Sequence, residues 1–197
     1  MTADQLDLLG PDPALPRGLE YRPDFLSPEE ERELAARFAG LPFRAFEFHG
    51  FLGKRRTVSF GLHYAFDGSG LKEAEPIPDF LLPARQRAAE LAGTAADDLQ
   101  HALVIEYAPG AGIGWHRDRP VFGDVVGVSL LAAARMRFRR KAGAKWERFN
   151  LTAEPRSAYL LTGPARSEWE HSIPAMEQLR YSITFRTLRG ERGRDPK

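Results

Sequence analysis

A mainly β fold with flanking helices, built as a β-barrel or two-sheet jelly roll, is predicted by three observations. From Leu99 onward the apolar pattern runs with period two, the signature of strands with one buried face. Eight short runs recur there between Gly and Pro breaks: 99–107, 113–118, 125–131, 135–140, 145–151, 157–161, 168–173 and 179–188. Ahead of them lie two segments with helical spacing and explicit stop signals. Short strands at that spacing suit an antiparallel double sheet or barrel with helices outside.

In chain order, residues 1–18 are rich in Pro and Gly and read as an extended arm. Ser27-Pro28-Glu29-Glu30 then opens a helix. Ser27 is a good N-cap, Pro28 suits the first helical position, and Glu30 occupies the capping-box position. Leu34, Ala35 and Phe38 form its apolar face and Gly40 ends it. A second helix is expected from Pro78 to Ala92, with Phe80, Leu81, Leu82, Ala84, Ala88 and Leu91 as its apolar set and Gly93 as its stop. Arg135–Arg140 and Lys145–Leu151 flank Lys141-Ala142-Gly143-Ala144 and read as a hairpin. We expect one folded unit: arm, helices and lid over 1–97, a β core over 98–190, and a tail over 191–197.

The chain has 197 residues and no cysteine. Disulfides, thiol nucleophiles, thiolate zinc sites and iron–sulfur clusters are therefore excluded. Any metal must be held by His, Asp, Glu, carbonyl groups or water. The net charge of +1 hides a segregation. Residues 1–34 carry nine acidic and three basic side chains, whereas residues 135–148 carry seven basic ones against Glu147 alone. Asp4, Asp7 and Asp12 stand where a targeting leader needs basic and apolar residues. The longest apolar stretch, Val125 to Ala134, has ten residues, too few to span a bilayer. A cytoplasmic monomer without membrane contact is expected.

Trp115-His116-Arg117-Asp118 is the sharpest local feature. Residues two apart on a strand share a face, so His116 and Asp118 project together. Alone, such a pair is equally a structural hydrogen bond. With His171 from the run Glu168-Trp169-Glu170-His171-Ser172, it makes two imidazoles and one carboxylate. That set is the facial triad of non-haem Fe(II) oxygenases and leaves positions open for substrate and O2. Arg180-Tyr181-Ser182-Ile183-Thr184-Phe185-Arg186 alternates strictly. Arg180, Ser182, Thr184 and Arg186 share one face, which points either to solvent or to a polar interior. Interior arginines require anionic partners, and a dicarboxylate would pair with them.

These motifs together resemble the AlkB family of Fe(II)/2-oxoglutarate-dependent dioxygenases. Ile105-Glu106-Tyr107-Ala108-Pro109-Gly110-Ala111 and Leu161-Thr162-Gly163-Pro164-Ala165-Arg166 add to the match, which covers about residues 99–188. The resemblance implies a double-stranded β-helix core with a substrate lid ahead of it. It implies Fe(II), 2-oxoglutarate and O2 as cofactor and cosubstrates, with His116, Asp118 and His171 as iron ligands. Tyr107 and Arg180 would hold the distal carboxylate of 2-oxoglutarate, and Arg186 would lie nearer the metal. Ile105 and Ser182 stand where family members often carry Asn, which removes two polar contacts. The activity implied is oxidative demethylation of N-alkylated bases in DNA or RNA, releasing succinate, CO2 and formaldehyde. The alternative is the same chemistry on a protein or a small molecule.

Residues 43–66 interleave aromatic and basic groups, among them Phe43, Arg44, Phe46, Phe48, His49, Phe51, Arg55, Arg56, Phe60 and Phe66. Aromatic faces stack bases and cations meet phosphates; the other reading makes most of these aromatics core. Arg135, Arg137 and Arg139 share one hairpin face and form a second candidate phosphate track. The substrate-contact candidates are Arg55, Arg56, Arg137 and Arg139. The glycine-rich run 108–114 lacks the Lys-Ser/Thr of a phosphate loop and reads as a turn. His49, His63 and His101 have no ligand-like spacing and read as surface or core histidines.

Overall fold

A computed structural model describes residues 15–48, 51–65 and 68–190 of the chain. The N-terminal arm before residue 15, His49, Phe66 and the tail 191–197 lie outside the described residues, as do the side chains of Phe46, Phe48 and Phe51. The strands are β1 (Leu19–Arg22), β2 (Arg44–Phe48), β3 (Phe51–Phe60), β4 (Leu62–Ala65), β5 (Gly70–Glu73), β6 (His101–Tyr107), β7 (Ile113–His116), β8 (Phe122–Leu130), β9 (Ala134–Ala142), β10 (Lys145–Ala153), β11 (Ala158–Leu161), β12 (Glu170–Ile173) and β13 (Arg180–Leu188). The helices are α1 (Pro28–Phe38), α2 (Leu82–Ala92) and α3 (Gly163–Ser167). None is long and apolar enough to cross a membrane.

Strand β13 is buried on both faces because it is central. It pairs antiparallel with β6 on one side and β8 on the other, in a seven-stranded sheet of order β1-β11-β8-β13-β6-β3-β2. A second sheet has the order β10-β9-β12-β7, and β4 pairs with β5 alone. The architecture is the double-sheet jelly roll rather than a closed barrel: among the described residues no strand ladder joins the two larger sheets. Strands from both sides of residue 97 share the large sheet, through β3 on β6.

Two apolar layers follow from the alternation. Tyr181, Ile183 and Phe185 of β13, with Val126, Val128 and Leu130 of β8, face the helices and pack with Phe38, Leu81 and Ala88. The opposite face of the large sheet meets the small sheet around Ile105, Tyr107, Met136, Phe138 and Leu161. Fully burying each such side chain stabilises the fold by about 1.5–3 kcal/mol.

Helix α1 begins as its sequence dictates. The Ser27 hydroxyl accepts from the Glu30 N–H at 3.2 Å and the Glu30 carboxylate accepts from the Ser27 N–H at 2.7 Å. Glu30 also accepts two hydrogen bonds from Arg87, locking α1 to α2. The segment expected as one helix from Pro78 starts with a 3-10 turn, Asp79–Leu81, before α2, which stops at Gly93 with φ +64°. The run expected as a strand from Glu168 is shorter: α3 ends at Ser167 and β12 begins at Glu170. The β9–β10 hairpin turns tightly at Gly143, whose φ of +59° suits glycine.

Candidate active site

Short strands bring the metal-ligand candidates together. β7 and β12 are adjacent and antiparallel, with His116 directly opposite His171. Both imidazoles therefore project from the same face, toward the large sheet, with ring centroids 4.2 Å apart. Asp118 follows two residues after His116. One donor atom from each of His116, Asp118 and His171 lies within 4.8 Å of the other two. The Nδ1–H of His116 donates to the Gly114 carbonyl at 2.9 Å. That bond sets the tautomer and leaves Nε2 as the donor facing the site.

The electrostatics keep this set ready for a cation. Burial pushes the His171 pKa down to about 3, helped by the neighbouring His116, so the imidazole stays neutral. Burial also lowers His116. For Asp118 burial acts to raise the pKa, but Arg186, His171 and His116 outweigh it and hold the carboxyl well below the usual range. Two neutral imidazoles and one ionised carboxylate are the donors a divalent iron takes.

Residues outside the triad hold Asp118 in place. Arg186 Nη2 donates to Asp118 Oδ1 at 3.1 Å, and its Nη1 donates to His101 Nδ1 at 3.2 Å. His101 is therefore a neutral acceptor, buried and stacked on Phe122. Arg166 wraps the loop that carries Asp118, donating to the carbonyls of Asp118, Arg119, Phe122 and Gly123 at 2.7–3.3 Å. Neither role has a local sequence signal, because each contact bridges 43–85 residues.

Arg180 is fully buried, the largest such side chain in the described structure. Its Nε donates to Ser129 Oγ at 3.0 Å and its guanidinium packs against the ring of Tyr107, its cross-strand neighbour. Among the described residues, Nη1 and Nη2 have no hydrogen-bond partner, and neither has Nε of Arg186. Unpaired buried guanidinium nitrogens are costly, and an anion bound beside them would satisfy them. A carboxylate cosubstrate therefore fits the site, as iron fits the triad. Ile105 and Ser182 face each other across β6 and β13 on the cavity wall between the two arginines.

A cleft of about 1930 Å³ opens over this floor, lined by the triad, Tyr107, Arg186 and Arg55 among others. Adjacent residues of β3 point to opposite faces, which divides the two substrate-contact candidates there. Arg55 enters the cleft beside Tyr107. Arg56 lies on the other face, outside the cleft lining, where Nε and Nη2 donate to the Glu106 carboxylate at 2.7 and 2.9 Å. Arg137 and Arg139 lie outside the cleft, on the outer face of the small sheet. Arg137 donates to Ser172 and Arg139 to Glu170, and both stack on Trp115. The Arg139 guanidinium also lies 4.5 Å from the ring centroid of Trp146.

The chain matches the 2OG-Fe(II) oxygenase superfamily over residues 18–186. It is 29% identical over 183 residues to the alkylated DNA repair protein ALKBH8 homolog of Arabidopsis thaliana, covering 80% of this chain and 51% of that protein. It is 26% identical over 191 residues to the tRNA (carboxymethyluridine(34)-5-O)-methyltransferase alkbh8 of Xenopus tropicalis, covering 92% of this chain and 30% of that one. The chain thus spans about half the length of these relatives or less. The structure of OsALKBH1 superposes with a TM-score of 0.64 at 16% identity, over 89% of this chain and 99% of that one.

Proposed function

The chain belongs to the 2OG-Fe(II) oxygenase superfamily, among its AlkB-like members, and from that premise we propose that it removes alkyl groups oxidatively from nucleobases in DNA or RNA. The family uses Fe(II), 2-oxoglutarate and O2, and the chain is a dioxygenase of that kind. When bound, this cofactor set supplies oxidation of an unreactive C–H bond. For an N-methyl base the balance is one O2 and one 2-oxoglutarate consumed, with succinate, CO2, formaldehyde and the unmodified N–H released.

The protein's part is positioning. His116 through Nε2, the Asp118 carboxylate and His171 would hold the ion from one side. Arg180 and Tyr107 would take the distal carboxylate of 2-oxoglutarate. Arg186, braced by His101, holds Asp118 ionised and aimed. Arg55, one of several arginines lining the cleft, would meet an anionic substrate.

One observation carries the substrate half of this reading. Trp115 lines the cleft and also supports Arg137 and Arg139 on the outer face of the small sheet. The cross-strand register puts Arg135, Lys141, Trp146 and Arg148 on that same face. Cations interleaved with tryptophans suit a nucleic-acid strand, which needs phosphate partners and stacking surfaces together. The names of two relatives, one for alkylated DNA repair and one for a tRNA, agree with that substrate class.

The test is succinate and formaldehyde release against methylated single-stranded DNA, methylated RNA and a methylated peptide panel. Turnover on an oligonucleotide is expected. Turnover on peptides alone would overturn the nucleic-acid reading and leave the oxygenase.

A further inference from the structure

Among the described residues, seven arginines and four carboxylates line the cleft. None of the four carboxylates is both inside and uncommitted. Asp118 belongs to the metal set and pairs with Arg186. Glu170 accepts from Arg139. Asp124 is buried with a partner of its own, and Glu75 is exposed. Two cations act on the space instead. Arg55 is half-buried on β3 and close enough to Tyr107 and His116 for its charge to act on both. Arg119 directly follows Asp118, and its guanidinium carbon lies 5.1 Å from the centroid of the Tyr64 ring. Tyr64 stands on β4, in the β4–β5 hairpin, and lines the cleft. An aromatic face is the other surface that attracts a cation, and a cation of the protein already engages this one.

Methylated bases divide by charge. A methyl at N3 of cytosine or N1 of adenine leaves the base protonated, and so cationic, at neutral pH. A methyl at N3 of uracil or thymine, or at N1 of guanine, replaces an N–H and leaves the base neutral. A methyl group that reaches the triad brings its base into the field of Arg55, where like charges repel more strongly than in water. Phosphates stay in solvent and are screened there, so the cleft's cations act mainly on the desolvated base.

We propose that the cleft selects neutral N-alkyl bases over cationic ones, with Arg55 and Arg119 as the residues that set this preference. The proposal rests on the nucleic-acid reading above and names the charge class of the base, which that reading leaves open. Arg55 repels a cationic base directly. Arg119 does so by engaging the Tyr64 ring that would otherwise attract one.

The test loads the protein with Mn(II) and 2-oxoglutarate, so that no turnover occurs. It offers single-stranded oligonucleotides with one central N3-methyluracil or one central N3-methylcytosine, in DNA and in RNA. The two bases are close in shape and differ in charge. Fluorescence anisotropy gives each affinity relative to that of the unmethylated counterpart. Repulsion by half-buried like charges predicts binding about tenfold tighter for N3-methyluracil. Arg55→Gln should bring the two bases to within about threefold of each other. Arg119→Gln should narrow the gap in the same direction. Equal affinities, or tighter binding of N3-methylcytosine, would overturn the proposal and leave the nucleic-acid reading standing. A preference that neither variant narrows would overturn it as well, since the discrimination would then lie elsewhere. Failure of every oligonucleotide to bind would overturn the nucleic-acid reading itself, and this proposal with it.

Discussion

Strand β13 turns Arg180 and Arg186 toward an interior covered by the second sheet, whereas β9 turns Arg135, Arg137 and Arg139 toward solvent. In sequence the two rows look alike, with arginines at even spacing among apolar residues. In the fold their neighbours differ in kind. The exposed row has partners of its own: Glu170 and Ser172 accept from it, and Trp115 and Trp146 flank it. In the buried row Arg186 reaches Asp118, but among the described residues Arg180 meets no carboxylate and keeps two nitrogens without a hydrogen bond. A partnered surface cation is explained by the protein. An unpartnered buried one is explained only by something that binds, because the fold gains nothing from desolvating it.

Arg180→Met breaks the buried side of this contrast and should have the largest effect. Affinity for 2-oxoglutarate should fall about a hundredfold or more, as expected for a desolvated charge pair. The thermal midpoint of the unliganded protein should hold or rise, since an apolar isostere replaces an uncompensated charge. Calorimetry and a thermal melt read both. A lowered midpoint with unchanged affinity would mean that Arg180 is structural.

Glycines sharpen the same contrast. Gly127→Ala drives a Cβ into the Tyr159 ring and should cost about 3 kcal/mol by overpacking. Gly143→Ala, at the hairpin tip where nothing lies within 4 Å, should cost about 1 kcal/mol for its positive φ alone. Denaturant unfolding of both variants checks the difference.

On the exposed side, Arg137→Glu with Arg139→Glu should weaken binding of a single-stranded oligonucleotide about tenfold. The slope of log affinity against log salt should shrink by about 1 to 2. Binding of 2-oxoglutarate should not change. A salt titration by fluorescence anisotropy measures this, and an unaltered slope would detach that face from the substrate.

The smallest effect is expected at Arg140, whose side chain points to the other face of the hairpin and pairs with Glu147 and Glu168 in the open. Arg140→Gln should leave the thermal midpoint, oligonucleotide affinity and cosubstrate affinity unchanged, because solvent and salt screen such pairs.

Much of this is legible in the sequence. Strict alternation named the faces of β13, and the capping box fixed the start of α1 to the residue, because both signals are local. The sequence pattern also brought His116, Asp118 and His171 into one candidate set. What it lacked was register. Whether Arg55 or Arg56 enters the cleft depends on Glu106, fifty residues away. The seat of Tyr159 depends on a glycine in another strand, and the grip of Arg166 on the Asp118 loop spans a similar gap. Strands β2 and β3 mix aromatic and basic residues with no clean period. Only pairing with β6 reveals that they extend the main sheet.

The most direct test of the whole account is an anaerobic titration, first with Fe(II) and then with 2-oxoglutarate, followed by visible absorption. A weak charge-transfer band should appear when the second ligand is added to the iron-loaded protein. It should be absent in a folded Asp118→Ala variant. A band that survives in that variant, or a folded parent protein that gives none, would contradict the assignment of iron to His116, Asp118 and His171.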